Sequence, residues 1–134
     1  MFKSIDQVEL SDRRKLTGAA LRGFWSLARR WALSDDEQLI LLGISNKSTL
    51  RRWRRGNVMA LRRDTFERLS LLFRIFTALH QLFGGARADE WIRLPNKAPL
   101  FGGRSALEHM LSGSIKDLYD TCDYLDGVLS GWLG

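Results

Sequence analysis

The chain has one cysteine, two prolines, two histidines and no long apolar run among its 134 residues, and each scarcity closes off a class of protein. Cys122 has no partner for an internal disulfide, which fits a reducing cytoplasm. His80 and His109 lie far apart in sequence, and with a single thiol they do not make the ligand set of a structural zinc site. No stretch reaches the roughly 18 apolar residues of a membrane span, and the N-terminus has no apolar signal core, so no membrane role is expected. No Walker or dinucleotide glycine spacing occurs, and Gly102-Gly103 reads as a turn pair rather than a phosphate cradle. No nucleophile stands at a familiar distance from His109, and its neighbour Glu108 already has a capping role, so neither catalysis nor a cofactor is expected. Asp117, Asp120, Asp123 and Asp126 recur every third residue, but at 100° per residue they spread over one outer helix face, a solvated acidic surface rather than a metal site.

With 45% hydrophobic residues and weak strand signals, the chain reads as all-α. Residues 1–15 are polar and mixed, an arm without periodicity. Thr17 to Trp31 forms a first helix on Leu21, Phe24, Trp25, Ala28 and Trp31. Ser34-Asp35-Asp36-Glu37 is a capping box opening a helix that stops at Gly43. After a short turn, Asn46 to Arg55 is a third helix ended by Gly56. Asp64, with Glu67 three residues on, caps a long fourth helix to about Phe83, and Gly84-Gly85 marks the boundary between a part covering 16–86 and another covering 87–134.

Charge divides the same way. Residues 1–86 hold 16 basic against 8 acidic residues, and 87–134 hold 5 against 7. Within 45–63 there are seven basic residues and no acid, so a polyanion is the expected partner of the first part and a protein that of the second. Residues 34–56 have the layout of a helix-turn-helix. On a wheel, Leu50 and Trp53 point inward, Ser48, Arg51, Arg52 and Arg55 outward, and Lys47 and Arg54 toward the flank. Ser45 or Asn46 caps the helix. That arrangement places Ser45, Asn46, Lys47, Ser48, Arg51, Arg52, Arg54 and Arg55 on DNA, with arginine forks suited to guanine edges. Arg62 and Arg63 stand in the next loop.

The fourth helix carries two apolar stripes, one of them through Leu69, Leu72, Phe73, Phe76 and Leu79, and is expected to pair two copies through Leu72, Phe73, Phe76 and Leu79. Residues 91–113 are the most distinctive stretch. Pro95 ends a helix at Leu94, Pro95 to Gly103 forms a tight connection, Ser105 and Glu108 make a second capping box, and Gly113 stops the short helix. A last helix over Ser114–Leu129 puts Ile115, Leu118, Tyr119, Cys122, Leu125 and Leu129 on one face, expected to pack on the helix of 105–112, and an apolar tip, Trp132-Leu133-Gly134, follows it.

Trp91, Pro95, Asn96, Leu100, Gly102, Leu111 and Gly113 together resemble the C-terminal toxin-binding domain of Xre/MbcA/ParS-like antitoxins, and residues 42–56 resemble their Xre-type helix-turn-helix. Ser105 departs from the proline common before the capped helix, but serine caps equally well. The resemblance implies an N-terminal Xre-type helix-turn-helix part followed by a small helical toxin-binding domain. It also implies a homodimer on operator DNA, a hetero-oligomer with a cognate RES-type toxin that degrades NAD, occlusion of that toxin's active site, and repression of the chain's own operon. Trp91, Arg93, Pro95, Asn96, Leu129, Trp132, Leu133 and Gly134 would then touch the toxin, with Trp132 as anchor. ParS-like relatives pair with an ADP-ribosylating toxin, so the toxin's chemistry stays open. The rival is a stand-alone transcription factor whose second part senses a ligand or protein.

Overall fold

The computed structural model describes the backbone of residues 5–131 and the side chains of 12–131. Among the described residues seven helices follow in order: α1 (Ile5–Arg30), α2 (Asp35–Leu42), α3 (Lys47–Arg54), α4 (Arg63–Leu82), α5 (Gly85–Trp91), α6 (Ala106–Met110) and α7 (Ile115–Leu129). Among the described residues the extended backbone amounts to one isolated bridge, Pro95 to Ser105, and no helix is long and apolar enough to cross a membrane.

Helix α1 begins at Ile5, so the arm expected over 1–15 is helical from that residue onward. No glycine or proline interrupts Ile5 to Leu16, and the exposed residues 12–16 offer no apolar stripe for periodicity to reveal. The second half buries Leu21, Phe24, Leu27, Ala28 and Trp31. It stops where Ala32 takes a left-handed φ of 52°, unusual for a residue with a Cβ.

Local chemistry sets both ends of α2. Ser34 Oγ accepts from the Glu37 N–H (3.1 Å), and the Ser34 N–H donates to Glu37 Oε1 (2.8 Å). Gly43 closes it at φ 71°, and a Cβ there would come within 2.7 Å of Arg68 Nε, so only glycine fits.

Helix α4 starts two residues earlier than a cap at Asp64 would place it. Arg62 occupies the N-cap without a side-chain bond, and Asp64 instead accepts from Arg68 Nε at 2.9 Å. Helix α4 packs against α1, α2, α5 and above all α7. Of the residues expected to form a dimer face, Leu72 and Leu79 lie fully buried in the core of one chain, while Phe73 and Phe76 keep part of their rings at the surface. Phe73 lies in a notch of α1 where a Cβ on Gly23 would meet its ring at 3.1 Å. Phe76 packs beside Trp31 and His80, with the Arg30 guanidinium over its ring. Most of both apolar stripes is therefore covered within the chain, because α1 and α7 pack on different sides of one helix.

The face of α7 likewise has a different main partner from the one expected. Leu118, Cys122 and Leu125 are buried, and the largest contact of α7 is with α4, with α6 taking the smaller share. One continuous core runs from Leu21 of α1 to Leu125 of α7, across the Gly84-Gly85 turn.

Candidate functional site

Asn46, rather than Ser45, caps α3. Its Oδ1 accepts from the Thr49 N–H (2.9 Å), Ser48 Oγ (2.7 Å) and Thr49 Oγ1 (2.9 Å). Leu50 is fully buried and Trp53 half-buried, which fixes the helix to α2 and α1 from beneath. Ser45, Lys47, Ser48, Arg51, Arg52 and Arg55 are exposed. Arg51 Nε reaches back to the Lys47 carbonyl at 3.4 Å, and Lys47 Nζ lies 3.3 Å from Asp36 Oδ1 in an exposed pair.

Arg54 is exposed as well, but it also makes contacts within the chain. Its Nη2 donates to Asp35 Oδ1 at 2.6 Å and to Gln38 Oε1 at 2.9 Å, and its guanidinium sits 5.8 Å from the Trp25 ring centroid. The hydrogen bond from Arg54 holds the Asp35 carboxyl below its ordinary value. Arg54 therefore braces α3 against α2 and α1. Its acid comes from 19 residues upstream, outside the acid-free run that marks the helix in sequence.

The first turns of α2 and α3 differ in charge. Helix α2 opens with Asp35, Asp36 and Glu37, which occupy its positive end, whereas the first turn of α3 holds no acid. The positive end of α3 thus has no acid of its own helix to offset it. Beside it a concavity of about 810 Å³ is bordered by Asn46, Thr49, Arg52, Asn57 and Arg62.

In the second half, the chain between Trp91 and Ser105 folds on itself. The Asn96 N–H donates to the Arg104 carbonyl (3.0 Å), the Gly103 N–H to the Asn96 carbonyl (2.8 Å), and Asn96 Oδ1 accepts from the Ala98 N–H (2.9 Å). Gly102 and Gly103 take φ of 59° and 92°, which close the turn. Ser105 and Glu108 form the capping box as expected. Trp91 is half-buried, edge-on to Phe101 and stacked on Tyr124. Trp91 and Asn96 thus build the turn, while Pro95 is exposed beside Leu94, a 55% exposed leucine that the motif spacing did not single out. Leu129 is 40% exposed and borders a groove between α4 and α7 with Phe73 and Asp126. Trp132, Leu133 and Gly134 lie outside the described residues.

Arg93 is exposed and likewise makes contacts within the chain. Its Nε donates to the Trp31 carbonyl (2.9 Å), and its Nη2 to the Ala32 carbonyl (2.7 Å) and Glu37 Oε1 (3.3 Å). Partial burial pushes the Glu37 pKa up, but the Ser34 backbone N–H and Arg93 outweigh it, and the net shift is downward. Arg68 makes a parallel link, donating to the carbonyls of Ile40 (3.4 Å) and Gly113 (3.0 Å). Three of the four aspartates of α7 lie beside nitrogen-bearing side chains. Asp117 and Asp120 flank His109 Nε2 at 3.4 and 3.8 Å, Lys116 reaches Asp120 at 2.8 Å, and Arg74 reaches Asp126 at 2.7 Å.

A helix-turn-helix with an acid-free basic face, sharing one core with a capped turn and helix, is the build of a DNA-binding regulator with a protein-docking half. Residues 12–74 match the antitoxin Xre-like helix-turn-helix domain, and residues 78–131 match the antitoxin Xre/MbcA/ParS C-terminal toxin-binding domain. The chain belongs to the Xre-type antitoxins and carries both of their domains. It is also 44% identical over 114 residues to "Uncharacterized protein y4oB" of Sinorhizobium fredii (strain NBRC 101917 / NGR234), a span of 84% of this chain and 86% of that protein. The two domain matches adjoin within α4, the helix that both halves pack against.

Proposed function

We propose that this antitoxin neutralises a RES-type toxin that degrades NAD, by occluding the toxin's active site, and represses its own operon as a homodimer bound through α3. The observation that carries the DNA-binding arm is the outer face of α3, where Ser48, Arg51 and Arg55 are exposed and no acid lies on the helix. The toxin arm rests on the match of residues 78–131 and on the Trp91 to Gly113 pattern. On this reading, exposed Pro95 and Leu129 and the following Trp132, Leu133 and Gly134 meet the toxin, whereas Trp91, Arg93 and Asn96 hold the contact surface in shape. The pairing of two copies uses a surface other than the buried Leu72 and Leu79.

The test is to purify the chain with a RES-type toxin and follow NAD by absorbance. Loss of NAD consumption at equimolar antitoxin, restored when residues 130–134 are deleted, is the expected result. Unchanged NAD consumption with the full chain overturns the RES assignment.

A further inference from the structure

We infer that α1 carries a second strip of DNA contact, Arg22 and Arg29, which grips the sugar-phosphate backbone along one edge of the groove that α3 enters. The inference rests on the DNA-binding reading above and extends it to a helix outside the helix-turn-helix.

Residues 13–34 hold six basic residues, Arg13, Arg14, Lys15, Arg22, Arg29 and Arg30, and no acid. Arg22 and Arg29 are seven positions apart, so they share a face of α1, with Trp25 between them. Both are exposed. Together with Trp25, Gln38 and Arg54 they border a concavity of about 590 Å³ where α1 meets α2 and α3. Arg54, held over Trp25, joins this strip to the flank of α3.

The neighbouring cations are neutralised. Arg54 pairs with Asp35, Lys47 with Asp36, Arg93 with Glu37, and Arg30 lies 3.8 Å from Asp89. Among the described residues, Arg22 and Arg29 have no carboxylate at ion-pair distance. Two uncompensated guanidiniums on one face, roughly 10 Å apart along the helix, are free to pair with an anion.

The position of the strip identifies that anion. On the wheel of α3, Ser48, Arg51 and Arg55 face outward. Thr49 and Trp53 lie on one flank, toward the concavity that holds Arg62, and Arg54 lies on the opposite flank, toward Arg22 and Arg29. A helix in a major groove about 12 Å wide has a phosphate strand on either side. Arg52 and Arg62 are placed for one strand, and Arg22 and Arg29 for the other.

The experiment is fluorescence anisotropy of the full chain on a duplex from upstream of its operon and on a scrambled duplex, between about 50 and 200 mM salt. Phosphate contacts carry no sequence information, so the Arg22→Ala/Arg29→Ala variant is expected to weaken both duplexes by the same factor. It should also reduce the slope of log K against log salt by about 2. The Arg22→Lys/Arg29→Lys variant keeps the slope, which separates charge from fold. An unchanged slope in the alanine variant, while the wild type binds, overturns the strip and leaves the α3 reading intact. Loss of toxin binding with DNA binding unaltered assigns the strip to an acidic protein surface and also overturns it. A wild type that binds neither duplex removes both readings.

Discussion

Arg93 Nη2 donates to the carbonyl oxygen of Ala32 at 2.7 Å, across 61 residues of sequence. Carbonyls at the end of a helix lack intrahelical partners, and a guanidinium there also meets the negative end of the helix dipole. Arg93 thus caps α1 from the toxin-binding half, and it reaches Glu37 in the first turn of α2. The Arg93→Ala variant is expected to lose about 1–2 kcal/mol in urea unfolding, through the lost charged hydrogen bonds. If the residue contacts toxin alone, stability stays at the wild-type value and only toxin affinity falls.

The same junction holds a strained residue. Ala32 sits at φ 52°, where a Cβ crowds the following carbonyl. Replacement by glycine relieves that contact at some entropic cost, and the Ala32→Gly variant is expected to gain about 0.5–1 kcal/mol. A lowered melting temperature in this variant would show that the left-handed turn is not a source of strain.

Helix α2 was legible in the sequence because both of its ends are set by near neighbours, Ser34 with Glu37 and Gly43 with its own φ. The same holds for α6, through Ser105 and Glu108. The roles of Arg54 and Arg93 were not legible, because Asp35 and the carbonyls of Trp31 and Ala32 reach them only after folding. The use of α4 was not legible for a related reason. A helix with two apolar faces looks alike whether a second copy or a distant α7 covers it. The start of α1 was hidden because the exposed residues 12–16 carry no apolar stripe that would lead back to it.

Three arginines, Arg51, Arg54 and Arg55, separate recognition from scaffold. The Arg51→Ala and Arg55→Ala variants are each expected to cost about 1–3 kcal/mol of operator binding and to relax preference at one base position. Two copies should require half-sites roughly 34 Å apart or a multiple of that spacing. The Arg54→Ala variant should instead lower fold stability, and its deficit should depend on pH. Asp35 has a depressed pKa, so its pairing stabilises the fold above the ordinary value of 3.8 and is lost as pH falls through the folded value. The gap between wild type and the Arg54→Ala variant in thermal melts therefore narrows on acidification. A gap that stays constant between neutral and acid pH removes the Asp35 pairing from the stability of the fold.

Cys122 is buried under α4, and its thiol donates to the Leu71 carbonyl at 3.3 Å. Burial pushes its pKa up to about 11, so the thiolate that reacts with alkylating and disulfide reagents is nearly absent at neutral pH. The raised value also means that its contribution to stability is present below the ordinary value of 9.0 and disappears as pH rises through about 11. Iodoacetamide labelling is expected to follow the rate of unfolding and to become fast only in denaturant. Rapid labelling of the native chain would place Cys122 at an accessible surface and contradict its packing between α7 and α4.

Leu72 decides between a core helix and an interface helix. Its side chain is fully buried within one chain, where α4 meets its neighbours. Truncation leaves a cavity whose lining cannot fully collapse, so the Leu72→Ala variant should lose about 2–5 kcal/mol. Light scattering should give it the same mass as the wild type wherever it is still folded, because no contact between copies passes through this residue. Phe73, half-buried in the notch beside Gly23, should cost less when truncated, since it already gives part of its ring to solvent. A Leu72→Ala variant that melts like the wild type but has half its mass would return α4 to the dimer interface. It would also require α1 or α7 to move off that helix when two copies pair.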